Sequence, residues 1–196
     1  ALVVSYSYNA ASSRIYGAQF DGGIDLPWNI GLDFNLLYLK AEVTEAEDIQ
    51  DFRFQADVAP DEAIFRSIEG KTLPRTPEWQ FNMNFTQAFP TETAGQFDYV
   101  VSAGYRSDFF TTIFNGEDFL QPENPRRRLD DKVEGYWTFD AGFGWTPPGD
   151  GRLRFEGYVN NLTDEIHEAA IIITQFDNTR FFTRPRTFGA RVRVQY

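Results

Sequence analysis

Eight charged side chains recur inside otherwise apolar, alternating segments: Asp33, Asp98, Arg106, Asp140, Arg154, Glu156, Arg191 and Arg193. Carboxylates and guanidinium groups can pair bidentately, hold a polar ligand, or line a hydrated space. None of them stands in a pattern that would make or break a covalent bond, and no catalytic constellation is found. The one histidine, His167, has no obvious Ser or Cys partner and reads as a surface histidine in a loop. Glu42, Glu45, Glu47, Asp48 and Asp51 form an acidic run. Carboxylates so spaced could hold calcium, but the order of an EF-hand with its central Gly is missing, and the reading is a solvated loop. Arg126-Arg127-Arg128 beside Asp130 and Asp131 could meet lipopolysaccharide phosphates or another anion; a salt-bridged loop is the plainer alternative. No metal, cofactor or nucleophile site is assigned.

The charged residues owe their placement to strands. In the last nine residues Phe188, Ala190, Val192, Val194 and Tyr196 alternate with Gly189, Arg191, Arg193 and Gln195. A period of two sends successive side chains to opposite faces of a strand. The same rhythm marks Tyr16–Ile24, Ile30–Tyr38, Trp79–Thr86, Phe97–Arg106, Tyr136–Trp145 and Arg152–Asn160, with a partial segment at residues 1–8. One face is apolar and aromatic; the other carries the charges. The connections alternate too. Short turns rich in Pro and Gly fall at residues 26–29, 90–95 and 146–151. Long polar stretches follow Tyr38 and span Ser107–Lys132 and Thr163–Arg180. Short turns at one end and long loops at the other are the rhythm of an outer-membrane barrel. Trp28, Trp145 and Tyr196 stand at the short-turn end, where an aromatic girdle is expected.

Composition agrees. Of 196 residues, 42% are hydrophobic and 17% aromatic, with 20 Phe, 9 Tyr and 4 Trp, the side chains that strands and membrane interfaces favour. The most conspicuous apolar run, Ala169–Ile173, is five residues, against the roughly 18 that a membrane helix needs. A mean hydropathy of −0.43 is compatible with a barrel, whose strands show lipid only alternate residues. The net charge of −11 argues against nucleic acid as a partner. There is no cysteine, hence no disulfide framework or thiolate site.

Four motifs carry a family resemblance. Arg14-Ile15-Tyr16-Gly17-Ala18-Gln19-Phe20, Leu73-Pro74-Arg75-Thr76-Pro77-Glu78-Trp79, Val159-Asn160-Asn161-Leu162-Thr163-Asp164-Glu165 and Arg184-Pro185-Arg186-Thr187-Phe188-Gly189 occur in this order. They resemble the strand openings "R-x-x-G-x-E-x" and "L-P-x-x-P-x", the segment "v-x-N-L-[FT]-D" and the closing lead-in "x-P-R-t-[YF]-G" of TonB-dependent outer-membrane receptors. Ile166-His167 departs from the family, which often places a Tyr there.

The resemblance implies an all-β chain. Its seven to eight antiparallel strands would belong to a larger transmembrane barrel of about 22 strands. Residues 1–196 would then be the C-terminal part, without the plug domain and the earlier strands. Its implied partners are outer-membrane lipid and lipopolysaccharide, the TonB complex through the plug, the barrel-assembly machinery, and a small-molecule cargo such as an iron-siderophore complex. The location implied is the bacterial outer membrane. The eight charged residues would face the lumen, touching plug or substrate path. Phe188, Val192, Val194 and Tyr196 resemble the C-terminal signal read during barrel assembly. Two other readings stand beside this one: a standalone eight-stranded barrel serving as adhesin or anchor, and a soluble glycan-binding sandwich.

Overall fold

A computed structural model describes residues 11–51, 53, 63–116, 131–174 and 177–196. The partial segment at residues 1–8 and the arginines Arg126 to Arg128 lie outside the described residues. The main sheet has seven antiparallel strands: β1 (Ala11–Leu26), β2 (Ile30–Ala46), β5 (Trp79–Thr91), β6 (Gly95–Arg106), β9 (Tyr136–Thr146), β10 (Leu153–Asn160) and β13 (Thr187–Val194). They lie side by side in chain order, each paired with the next. The order ends at β1 and β13 without closure among the described residues, so the closed eight-stranded barrel is not what these strands form. β1 and β2 run to 16 and 17 residues, well beyond the five or six usual in globular proteins and beyond the Tyr16–Ile24 and Ile30–Tyr38 expected.

The expected alternation fixes the faces of this sheet. Register places Leu36, Phe81 and Tyr105 in one row, and Asp33, Asn84, Ser102 and Asp140 in another. Directly paired residues share a face, so all eight charged residues named from the sequence fall on the same side. The opposite side shows Phe20, Phe143 and Phe188 more than half exposed, with no second layer covering it. A sheet of this kind has no core of its own.

Rows of the apolar face differ in chemistry. At the short-turn end Phe89, Phe97, Trp145 and Phe155 are register partners across four strands, with ring centroids 6.1 Å apart for Phe97–Trp145 and 5.4 Å for Trp145–Phe155. At the long-loop end Tyr38 meets Trp79 at 4.7 Å and Tyr105 meets Trp137 at 4.9 Å. Between them lie rows such as Phe85, Val101, Ala141 and Val159. Phe81 and Phe89 are separated by about 27 Å of strand, at about 3.4 Å per residue. That approximates an outward apolar band of about 25 Å flanked by two girdles. Only the short-turn girdle was legible in the sequence.

The long stretches are less irregular than their composition suggests. Among the described residues three antiparallel strand pairs are built in them: β3 (Ile49–Gln50) with β4 (Phe65–Arg66), β7 (Phe109–Phe110) with β8 (Lys132–Val133), and β11 (Glu168–Ile173) with β12 (Asn178–Phe182). Phe109, Val133, Ile171 and Ile173 bury one another, with Ile64 against them. Val43, Ile68 and Phe114 make a second cluster with Leu73 and Ile113 at its edge. The five-residue apolar run is thus the hairpin strand that supplies the cap with Ile171 and Ile173. Most of the buried apolar side chains lie here, above the long-loop end of the sheet.

Candidate functional site

On the charged face, strands β6, β10 and β13 bring five of the eight named residues together. Arg154 grips Asp98 through two bonds, Nη1 to Oδ1 and Nη2 to Oδ2, both 2.7 Å. Its Nε donates to Glu156 Oε1 at 2.9 Å. Glu156 also faces Arg191 at 3.7 Å and Arg193 at 3.6 Å. Asp98 and Arg154 come from strands flanking β9, so the guanidinium must cross β9 to reach its partner. It crosses at Gly144, the register partner of both Asp98 and Glu156. A Cβ there would overlap the Arg154 guanidinium and stand 2.7 Å from Asp98 Oδ2. The network borders a shallow depression of about 220 Å³ that also touches Tyr158 and Gly142.

The other three stand apart. Asp33 Oδ1 lies over Gly23, where a Cβ would come within 2.9 Å. Asp140 accepts the backbone N–H of Asn161 at 2.8 Å, capping the end of β10. Arg106 is held between rings, its guanidinium carbon 4.5 Å from the Phe109 centroid and 4.9 Å from that of Tyr136. His167, expected as a surface histidine, is instead stacked on Tyr136 at 4.4 Å and 3°, with its side chain 26% exposed and Nε2 3.3 Å from Glu165. The folded-back hairpin β11–β12 brings it there.

The acidic run is the solvated segment expected only in part, with Glu45, Glu47 and Asp48 exposed. Glu42 and Glu45 belong to β2, while the side chain of Asp51 is wholly buried between Arg53 and Arg66, each 2.8 Å away. Arg53 lies 4.4 Å over the Phe114 ring, so cation, carboxylate and aromatic close together over one cluster. Burial would be prohibitive for either charge alone, and the pairing is what permits it. Among the described residues no group of three or more carboxylates and histidines converges as a metal site. Asp131 is buried on the same cap, taking hydrogen bonds from the Thr112 N–H and hydroxyl. Burial pushes its carboxyl up from the usual range, against the pull of Thr112 and Arg53. A wider cavity of about 360 Å³ opens where the cap meets the charged face, lined by Arg75, Pro77, Gln80, Arg106, Phe109, Ala169, Ala170 and Ile172.

An amphipathic open sheet with one charged face, two aromatic girdles and a capped end has a counterpart among known proteins. Residues 2–162 match the family described as TonB dependent receptor-like, beta-barrel. The chain belongs to that family. Three solved receptors share the fold at low identity. The ferric yersiniabactin uptake receptor FyuA from Yersinia pestis has a TM-score of 0.69 and 14% identity over 96% of this chain and 24% of that one. The siderophore receptor PiuA from Acinetobacter baumannii gives 0.68 and 14%, over 94% of this chain and 22% of that one. The ferric-catecholate import receptor Fiu from E. coli K12 gives 0.64 and 20%, over 94% and 21%. The chain therefore spans about a quarter of the length of these receptors. No curated protein sequence matches it. In this family, found in the bacterial outer membrane, the strands form a transmembrane β-barrel, and its members are transport receptors.

The family's motifs can now be assigned structural work. Asn161, at φ 55°, donates through Nδ2 to the carbonyls of Glu165 and Arg184 at 2.8 and 3.0 Å. Asp164 accepts the Arg186 N–H at 3.0 Å and its guanidinium at 3.2 Å. The Asn-Leu-Thr-Asp and Pro-Arg-Thr-Phe-Gly segments thus clasp the base of the last long loop. In the Leu-Pro-Arg-Thr-Pro segment the Leu73 N–H reaches the carbonyl of Ala41 at 3.0 Å, and that of Arg75, at φ 60°, reaches Phe110 at 2.8 Å. Asn115 clamps Thr72 from both sides, accepting its N–H and donating to its carbonyl. Sequence reasoning missed Asp51, Arg53 and Asn115 as organisers of the cap. Asp51 and Arg53 are near neighbours in the chain, but their burial depends on Arg66 and Phe114, and Asn115 meets the distant Thr72, contacts that leave no local period.

Proposed function

We propose that this chain is the C-terminal part of an active-transport receptor of the outer membrane. The receptor takes up a scarce nutrient, with an iron-siderophore complex as the leading cargo, energised through TonB. The observation that carries this is the family match over residues 2–162. The neighbours whose names include ferric chelates and siderophores support the cargo class. In this reading the charged face borders the lumen: Asp33, Asp98, Arg106, Asp140, Arg154, Glu156, Arg191 and Arg193 hydrate it or meet a plug supplied by the rest of the receptor. The apolar face meets lipid, and the capped end meets lipopolysaccharide and medium. Phe188, Val192, Val194 and Tyr196, on or just beyond the edge strand, serve the barrel-assembly machinery.

Charges on such a face avoid the roughly 2–4 kcal/mol that Arg or Lys costs at the lipid midplane. The test is uptake of radio-iron chelates by cells lacking the gene, complemented with it, in strains with and without TonB. TonB-dependent uptake restored by the gene supports the reading. Equal uptake with and without the gene, across hydroxamate, catecholate and carboxylate chelates, removes iron as cargo; normal uptake without TonB removes the energisation.

A further inference from the structure

Three guanidinium groups share two carboxylates at the open edge of the main sheet. Arg154 takes Asp98 through both Nη atoms at 2.7 Å and Glu156 through Nε at 2.9 Å. Arg191 and Arg193, on the edge strand β13, are left with Glu156 alone, at 3.7 and 3.6 Å. Those separations exceed the roughly 2.7–2.9 Å of a charge-assisted hydrogen bond. Their side chains are 62% and 50% exposed. The network thus holds one positive charge more than its carboxylates balance, and the surplus sits at the edge.

That edge is built to take another strand. The Gln195 N–H donates to the Arg152 carbonyl at 2.9 Å, one step beyond the Leu153–Val194 pair. Hydrogen-bonded and non-hydrogen-bonded pairs alternate along an antiparallel ladder. Thr187, Gly189, Arg191 and Arg193 therefore turn their backbone groups toward β10, whereas Phe188, Ala190, Val192 and Val194 turn theirs to the open edge. Unpaired backbone groups are not viable in lipid, so a further strand must take them. On that strand the residues opposite Arg191 and Arg193 fall in non-hydrogen-bonded pairs, the closest cross-strand setting, with Cα atoms about 4.5 Å apart. Opposite charges stabilise such a pair and like charges destabilise it.

Direction narrows the occupant. Seven strands in antiparallel series leave β1 and β13 running the same way, from the long-loop end to the short-turn end. Neither β1 of this chain nor an edge strand of a second copy inserted in the same orientation can then pair antiparallel with β13. The strand required runs from the short-turn end to the long-loop end. Residues 1–10, which precede β1, contain no Asp or Glu.

We propose that the edge of β13 takes a strand from the part of the receptor upstream of this chain, and that this strand presents an Asp or Glu on the charged face opposite Arg191 or Arg193. The inference rests on the reading of this chain as the C-terminal part of a larger receptor. It deepens that reading by naming the charge that completes the wall.

The test uses the complete receptor, expressed from its whole gene in outer membranes. Val192→Cys lies on the apolar face and leaves both arginines intact. It is combined with single cysteines at apolar positions of each upstream strand and of residues 1–10, then oxidised. Residues of a hydrogen-bonded pair stand about 5.5 Å apart at Cα, within reach of a disulfide. The expected result is a disulfide to an upstream strand, at a residue flanked on at least one side by Asp or Glu. Arg191→Gln or Arg193→Gln, whichever faces that carboxylate, should lower the unfolding temperature, as should neutralising the carboxylate. Together the two changes should lower it by less than their sum. An upstream disulfide whose flanking residues are uncharged or basic overturns the inference and leaves the C-terminal reading in place. So do two losses that simply add, or the absence of any disulfide in a receptor that folds by heat-modifiable mobility. A disulfide to residues 1–10 overturns the inference and the C-terminal reading together.

Discussion

The wall and the cap of this molecule hold arginine–carboxylate networks of similar geometry in opposite settings. On the wall, Arg154 and Asp98 pair at 2.7 Å with side chains still 29% and 28% exposed. In the cap, Arg53 and Asp51 pair at 2.8 Å with both side chains fully buried. The wall has an open, coreless sheet whose apolar face is left uncovered. The cap buries its own apolar clusters, as a small soluble domain would. Identical chemistry should therefore be nearly dispensable in one place and indispensable in the other, because a charge stranded in water is re-solvated and a charge stranded in a cluster is not.

Asp51→Ala offers the sharpest break. It removes the buried carboxylate that Arg53 and Arg66 share, and the expected cost is about 3–5 kcal/mol. The loss should surface as fast hydrogen exchange and proteolysis at residues 63–73, while the heat-modifiable mobility of the barrel stays. Unchanged exchange there would mean that the cap is not held by its ion pair. Next comes a charge on the lipid side of the wall: Val101→Arg, mid-strand on the apolar face, should cost about 2–4 kcal/mol in refolding into bilayers. A negligible cost would place that face away from lipid.

Breaking the wall pair is expected to matter less. Asp98→Ala should cost about 1 kcal/mol or less in barrel melting, since both partners keep contact with water. Gly144→Val should match it, because the new Cβ displaces the same guanidinium. A cost for Asp98→Ala as large as for Asp51→Ala would erase the contrast between the two regions. The smallest effect is a pH dependence confined to the cap. Burial raises the Asp131 carboxyl above its ordinary value of 3.8, so the folded cap holds the proton more tightly than the unfolded chain. The resulting stability is fully present below the ordinary value and is lost as pH rises through the raised one. Hydrogen exchange at residues 111–116 should quicken over that interval in the wild type and flatten in Asp131→Asn. A trend of opposite sign would mean that Arg53 and Thr112 outweigh burial.

How legible these regions were in the sequence differs for a physical reason. Wall strands announced themselves, because a period of two is a property of the backbone and shows in any eight consecutive residues. Asp98, Arg154, Glu156, Arg191 and Arg193 could thus be put on one face before any strand was paired. The cap concealed itself. Asp51 looked like part of a solvated acidic run, and nothing near it signalled burial beneath Arg66 and Phe114. His167 looked like an ordinary loop residue until the last hairpin folded back on Tyr136.

The sequence by itself determined the all-β class, the two-faced strands, the short and long connections, and the motifs that mark the family. Each of these is local: a spacing, a turn residue, a short string. Tertiary structure alone decided which residues became neighbours across strands. It aligned Phe89, Phe97, Trp145 and Phe155 into a girdle, passed Arg154 over Gly144 to Asp98, and folded the long loops into a cap. A period of two fixes the face a side chain takes but not the residue it meets; that register is set only when turn geometry and the apolar faces of paired strands are satisfied together.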